Sequence, residues 1–350
     1  GTASPNSGVE SEQRRVDLLQ TFLSWQPDHA RAHLDLAECC LRLFDTMQAG
    51  SDNPMSLGSV RDAAMRSRFS SRRALDLWLS RAVGDHARLL DQALGHVRRA
   101  LALCPLQGRG YLYLAELCFL ENGGEEWKRE YIQQALQVRP YDGDVLYAAA
   151  REAMLSGDQE GWLKLARRSF QSGRRSQRRL IADLVGSCHE ELLESVVQLV
   201  DREFHPDLES LRFLLATVRQ RGQPAPLFWI QRRCAEQAAI DAQASRGEDA
   251  ARLWNEARKL YRTVGDEVLA RQCAHNAATS DPQNFEARYW LAISLMEEKR
   301  PDEAEPHLQW CMRRRPTDAN VEAKWKEAAR ARLDQRREAA RRSTARGNSY

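Results

Sequence analysis

Apolar side chains recur along much of the chain at three-, four- and seven-residue spacing, the interval that places them on one face of an α-helix. Trp254, Ala257 and Tyr261 form one such stripe, and Ala270, Ala274 and Ala277 form a second stripe of small residues after Gly265. The pattern predicts two helices, the first buried through its large stripe and the second approaching closely through its small one. Gly265 parts them, and Asp281-Pro282 ends the second, because proline lacks the amide that a continuing helix needs. Alternating apolar and polar runs bounded by Asn-Gly or Asp-Gly turns are hard to find, so little or no sheet is expected.

The pattern returns further along. Trp254, Ala257, Tyr261, Ala270, Ala274 and Pro282 recur as Arg288, Leu291, Leu295, Ala304, Leu308 and Pro316, each displaced by 34 residues. Region 251–318 thereby resembles the tetratricopeptide repeat family, whose signature reads W-x2-L-G-x2-Y, then A-x3-F, then P. The first copy keeps Trp254, Tyr261, Ala270 and Pro282; the second keeps Leu291, Ala304 and Pro316, with Ala292 in place of the glycine. The resemblance implies an all-α fold, an α-solenoid in which helical hairpins pile into a right-handed superhelix. It also implies a working surface, since first helices in this family line an inner groove that holds an extended peptide or a partner's helix.

Residues 1–8 are polar and turn-rich and are expected to be disordered. An N-terminal array is expected over 9–174. Val16, Leu19, Phe22 and Leu23, closed by Pro27, resemble the second helix of an incomplete repeat. Ala32, Leu36, Ala37 and Cys40 begin the next, but its partner stripe, Ala93, Val97, Ala100 and Leu101, comes only before Pro105. Pro27 to Pro105 is 78 residues against an expected 34, so about 44 are inserted, roughly 45–88. The insertion reads as an exposed loop followed by helical hairpin. Two further hairpins follow through Tyr111, Leu114 and Ile132, and through Leu146, Ala149 and Ala166. Over 175–250 the chain stays helical but loses the signature, with helices expected near 177–186, 190–204, 206–220 and 224–244 as degenerate repeats. The C-terminal pair with a capping helix occupies 251–342, and 343–350 is expected to be a disordered tail.

A single hydrophobic core of 350 residues would exceed the usual domain size, but a stacked array escapes that limit because each repeat touches only its neighbours. The net charge of +3 implies no global attraction to nucleic acid or anionic membrane. No apolar run approaches the roughly 18 residues of a membrane helix. Membrane association would therefore need a segment outside this chain, which begins at Gly1 without a methionine and reads as a piece of a longer protein. The eight cysteines include no C-x-x-C pair and read as reduced packing residues, which suits the cytoplasm; a periplasmic face applies if the chain is part of a membrane protein.

Catalytic chemistry finds no foothold. Phosphate-binding glycine loops, G-x-S-x-G and H-E-x-x-H are absent, and no cofactor or metal is expected. His29 and His33 share a helix face at a spacing zinc sites use, but further ligands are missing. The candidate partner-binding residues are those of first helices left over from packing: Arg109, Tyr113, Glu116, Tyr147, Arg151, Asn255, Lys259, Arg262, Tyr289 and Ile293. Aromatics beside arginine offer large contact area and charge-assisted hydrogen bonds. In the insertion, Arg72, Arg73 and Trp78 are candidates for docking. The first expectation is a non-enzymatic scaffold binding a protein or peptide. A second is the repeat tail of a membrane-bound bacterial ligase or polymerase of surface polysaccharide (O-antigen), which the stretch 100–115 faintly resembles. A third is an RNA-binding solenoid using the basic run from Lys164 to Arg179, though the balance of charge argues against nucleic acid.

Overall fold

A computed structural model describes the backbone of residues 5–347 and the side chains of 8–339. Among the described residues there are 18 α-helices and no strand. They are α1 (Pro5–Trp25), α2 (Ala30–Ala49), α3 (Leu57–Ser67), α4 (Arg72–Ala82), α5 (Ala87–Leu103), α6 (Gly108–Leu117), α7 (Glu125–Val138), α8 (Gly143–Leu155), α9 (Gln159–Gln171), α10 (Arg174–Ser187), α11 (Leu193–Phe204), α12 (Leu208–Arg221), α13 (Pro224–Ala244), α14 (Gly247–Thr263), α15 (Glu267–Ser280), α16 (Phe285–Glu297), α17 (Pro301–Arg314) and α18 (Ala319–Gly347). The fold is an all-α array of helical hairpins. It divides into two compact units, Gly1–Leu180 and Ile181–Tyr350.

In the first unit α1 packs on α2, and α2 packs on α5 across the insertion, so the interrupted repeat closes over the inserted helices. Ala32, Leu36, Ala37 and Cys40 meet Ala93, Val97 and Ala100 in one buried cluster. The insertion is α3 and α4 with a short 3-10 turn at Gly84–His86. Leu57, Val60, Ala64, Leu75 and Leu79 bury themselves in the same core. The hairpins α6–α7 and α8–α9 follow.

In the second unit Trp254, Ala257 and Tyr261 on α14 pack with Ala270 and Ala277 on α15, then with Leu291 and Leu295 on α16 and Ala304 and Leu308 on α17. Aspartate or asparagine caps begin several of the hairpin helices: the side chains of Asp142, Asp158, Asp266 and Asn284 accept from Val145, Gly161, Leu269 and Ala287 amides. Over the stretch lacking the signature, α11, α12 and α13 form a three-helix group that hands over to α14.

Two boundaries differ from expectation. Residues 5–8, expected to be disordered, form the opening turn of α1, and 343–347, expected to be an unstructured tail, continue α18. Residues 1–4 and 348–350 lie outside the described residues. Pro5 is tolerated in a first helical turn, and Gly347 falls at the end of α18, where a glycine costs little.

All eight cysteines are unpaired, and six of them are buried. Burial pushes the Cys234 and Cys273 thiols up to about 12 and the Cys40 thiol to about 11, so they pack as protonated apolar groups.

Trp254 is only 7% exposed. Trp254→Ala should lower unfolding free energy by about 3–5 kcal/mol in a denaturant melt. A loss well under that range would mean that the α14–α15 register is misassigned. Gly265 turns the chain at φ 77°, where a Cβ is strained, whereas Gly95 lies inside α5 with open space around it. Gly265→Ala should cost about 1–2 kcal/mol and Gly95→Ala should gain up to about 1 kcal/mol in the same measurement.

Candidate functional site

First helices of successive hairpins touch one another, α6 with α8 in the first unit and α14 with α16 in the second. Residues on their shared face are therefore brought together from distant parts of the sequence.

In the first unit that face is crossed by ion pairs. Glu38 on α2 pairs with Arg42 at 2.7 Å, receives the Tyr113 hydroxyl at 2.9 Å and lies 3.8 Å from Arg109. Arg109 reaches on to Asp144 at 3.3 Å, and Asp144 also takes Arg179 at 3.4 Å and Arg175 at 3.9 Å. The series ties α2 to α6, α8 and α10. Burial, and then Glu38, pushes the Tyr113 hydroxyl well above the usual tyrosine range, so it stays a donor. Glu116 engages Arg61, an almost fully buried guanidinium from the inserted α3 that also holds Asp62 at 2.8 Å. Lys128 on α7 is clamped by Glu152 at 2.8 Å and Glu125 at 3.2 Å.

Tyr147 and Asn255 were expected to be left over from packing, yet both are buried. The Arg179 guanidinium covers the Tyr147 ring at 4.1 Å, which removes it from solvent. Arg109, Tyr113 and Glu116 are spent on contacts inside the unit, while Arg151 is exposed at the edge of a small cleft with Ile132, Glu152 and Leu155. In the insertion, Arg72 donates to Asp76, Asp91 and the Leu120 carbonyl. Trp78 is half-buried on the core against Phe69, and Arg73 is exposed. The basic run is likewise engaged at several points, with Arg168 donating to the Pro140 carbonyl and lying over Tyr141.

In the second unit the face is less self-satisfied. Lys259 pairs with Glu286 at 2.8 Å and Arg262 with Glu297 at 3.2 Å, both in solvent. Tyr289 stacks with Phe285 and meets Trp290 edge-on, and Ile293 is half-buried beside them. Asn255 is 3% exposed, and its Oδ1 has no hydrogen-bond partner. It borders a cleft of about 400 Å³ that Glu248, Arg252, Glu256, Lys259, Asn284 and Glu286 complete.

Arg258 escaped sequence reasoning altogether. It stands where the repeat signature has glycine, is 4% exposed, and lies 3.9 Å over the Trp290 ring with its Nε unbonded. Burial lowers its proton affinity to about 10 despite nearby Glu286. The departure from glycine was visible at position 258; that a tryptophan 32 residues on would shield it was not.

No protein-family model matches the chain, and no curated protein matches it. Among solved structures it is similar to yeast Tom70, with a TM-score of 0.34 and 14% identity over 95% of this chain and 61% of that one. It is also similar to human IFIT1, described as a dimer with PPP-AAAA, with a TM-score of 0.35 and 14% identity over 87% of this chain and 69% of that one. A third is Pseudomonas aeruginosa PilF, with a TM-score of 0.25 and 15% identity over 77% of this chain and 97% of that one. The chain thus spans less than two thirds of the yeast Tom70 chain.

Proposed function

We propose that this protein is a non-enzymatic scaffold that binds an extended peptide of a partner protein along the first-helix face of α14 and α16. The observation that carries this is Asn255. A buried amide oxygen with no partner costs about 1–3 kcal/mol, and a ligand that supplies a donor would recover that cost. Asn255 lines a cleft of about 400 Å³, and on the same face Lys259 and Arg262 make exposed, screened ion pairs that a ligand can replace. Tyr289 and Ile293 extend the surface with apolar area at one end. Within the first unit, taken by itself, Arg151 and Arg73 are the exposed candidates, since their neighbours on the expected surface serve the fold. No observation favours the polysaccharide-ligase tail, and Arg168, Arg175 and Arg179 of the basic run are drawn into contacts with the chain's own residues.

The reading separates stability from binding at one residue. Asn255→Ala removes an unsatisfied oxygen, so the melting temperature should hold or rise. Peptides selected on an array with the full chain should bind this variant, and Lys259→Ala, about tenfold or more weakly in titration calorimetry, roughly 1.4 kcal/mol. Unchanged affinity in both variants would remove the α14–α16 face from the binding site.

A further inference from the structure

The four histidines that precede residue 180 all lie at the two ends of α2, the helix packed between α1 and α5 in the first unit. At its N-terminal end the His29 Nδ1 accepts the Ala32 amide at 3.0 Å and so caps the helix. A backbone N–H can only donate, so this Nδ1 must carry a lone pair. His33, 7% exposed, places Nε2 2.9 Å from the Pro27 carbonyl, which can only accept. Its Nε2 therefore carries the hydrogen, and its Nδ1, 2.9 Å from His96 Nδ1, is the acceptor. His96 on α5 must donate, with the two rings stacked at 5.1 Å.

The C-terminal end repeats the arrangement with different partners. Gln48 Nε2 donates to the Val83 carbonyl at 3.2 Å and Gln48 Oε1 accepts the Met55 amide at 3.3 Å, which settles the orientation of its amide. The same Nε2 lies 2.8 Å from His86 Nδ1, which must then be a lone pair. His29 of the α1–α2 turn thus holds α2, His33 holds α5 and His86 holds Gln48 of α2 to the insertion, each as an acceptor, a role a protonated ring cannot play.

We propose that α2 is held at both ends by the lone pairs of neutral histidines, so that mild acid releases the α1–α2 turn at one end and the inserted helices at the other. The charged groups around the rings offer little relief. Asp28, next to His29, is taken by Arg99 of α5, and Arg31 and Asp35 pair with each other along α2 at 3.0 Å. Glu38, further along α2, serves Arg42, Arg109 and Tyr113. At the other end Asp85 pairs with Arg88 at 3.0 Å, and Asp45 accepts the Leu57 amide at 2.9 Å. Burial, and then His33, holds the His96 imidazole below the usual histidine range. The neutral His96 imidazole therefore contributes stability above the unfolded histidine value of about 6.5, and that contribution is lost as pH falls through this value towards the depressed one.

Hydrogen exchange of the full chain at pH 7.5 and 5.5, corrected for intrinsic rates, tests the proposal. Protection over 26–34, and over 47–60 with 83–90, should fall about tenfold or more at the lower pH, while α8 and α9 hold. The double variant His29→Asn/His33→Asn keeps both acceptors without titrating and should remove the pH effect at the N-terminal end alone. His86→Asn should remove it at the insertion alone. Unchanged wild-type protection at both ends, a loss spread evenly through the first unit, or a variant that alters both ends alike would each overturn the proposal.

Discussion

An amphipathic helical hairpin cannot cover its own apolar face, and the rest of this structure follows from that shortfall. Trp254 and Tyr261 fill the space between α14 and its neighbours only because Ala257, Ala270 and Ala277 let the helices approach. Each hairpin then leaves a face that the next must cover, so the array grows by nearest-neighbour burial. The insertion shows how strong the constraint is. α2 and α5 pack as one repeat although α3 and α4 intervene, because the loop-closure cost rises only slowly with length while the lost burial would be large.

Much of this was legible in the sequence because it is local. Stripes at helical spacing, Gly265 at the turn and Asp281-Pro282 at the helix end mark hairpins without reference to anything distant. The 34-residue recurrence then marks how hairpins repeat. The insertion was legible for the same reason, as a gap between two halves of one stripe. The helical state of residues 5–8 and 343–347 was not, because polarity alone distinguishes poorly between a solvated helix end and a disordered one.

The candidate surface was legible only in outline. Subtracting packing positions from first helices located the face, but it could not tell which residues on it were free. Glu38 meets Tyr113 across 75 residues, and Arg109 meets Asp144 across a hairpin, separations for which a single sequence carries no signal. Where such pairs form, polar groups that look like a binding surface become struts between repeats. The first unit uses most of its face this way, and the second uses less.

Departures from the repeat signature are matched in pairs in the second unit. Arg258 takes the glycine position and lies under Trp290 of the next hairpin; Arg288 takes the tryptophan position and lies 4.4 Å over Trp310, which Arg314 covers from α17 at 3.9 Å. A buried guanidinium against a ring face keeps its charge at lower cost than one against aliphatic side chains. It makes no demand for a carboxylate, so Glu286 and Glu297 remain available to Lys259 and Arg262 at the surface. The pairing of cation and ring within the stack is thus what leaves exposed, exchangeable ion pairs on the face beside Asn255.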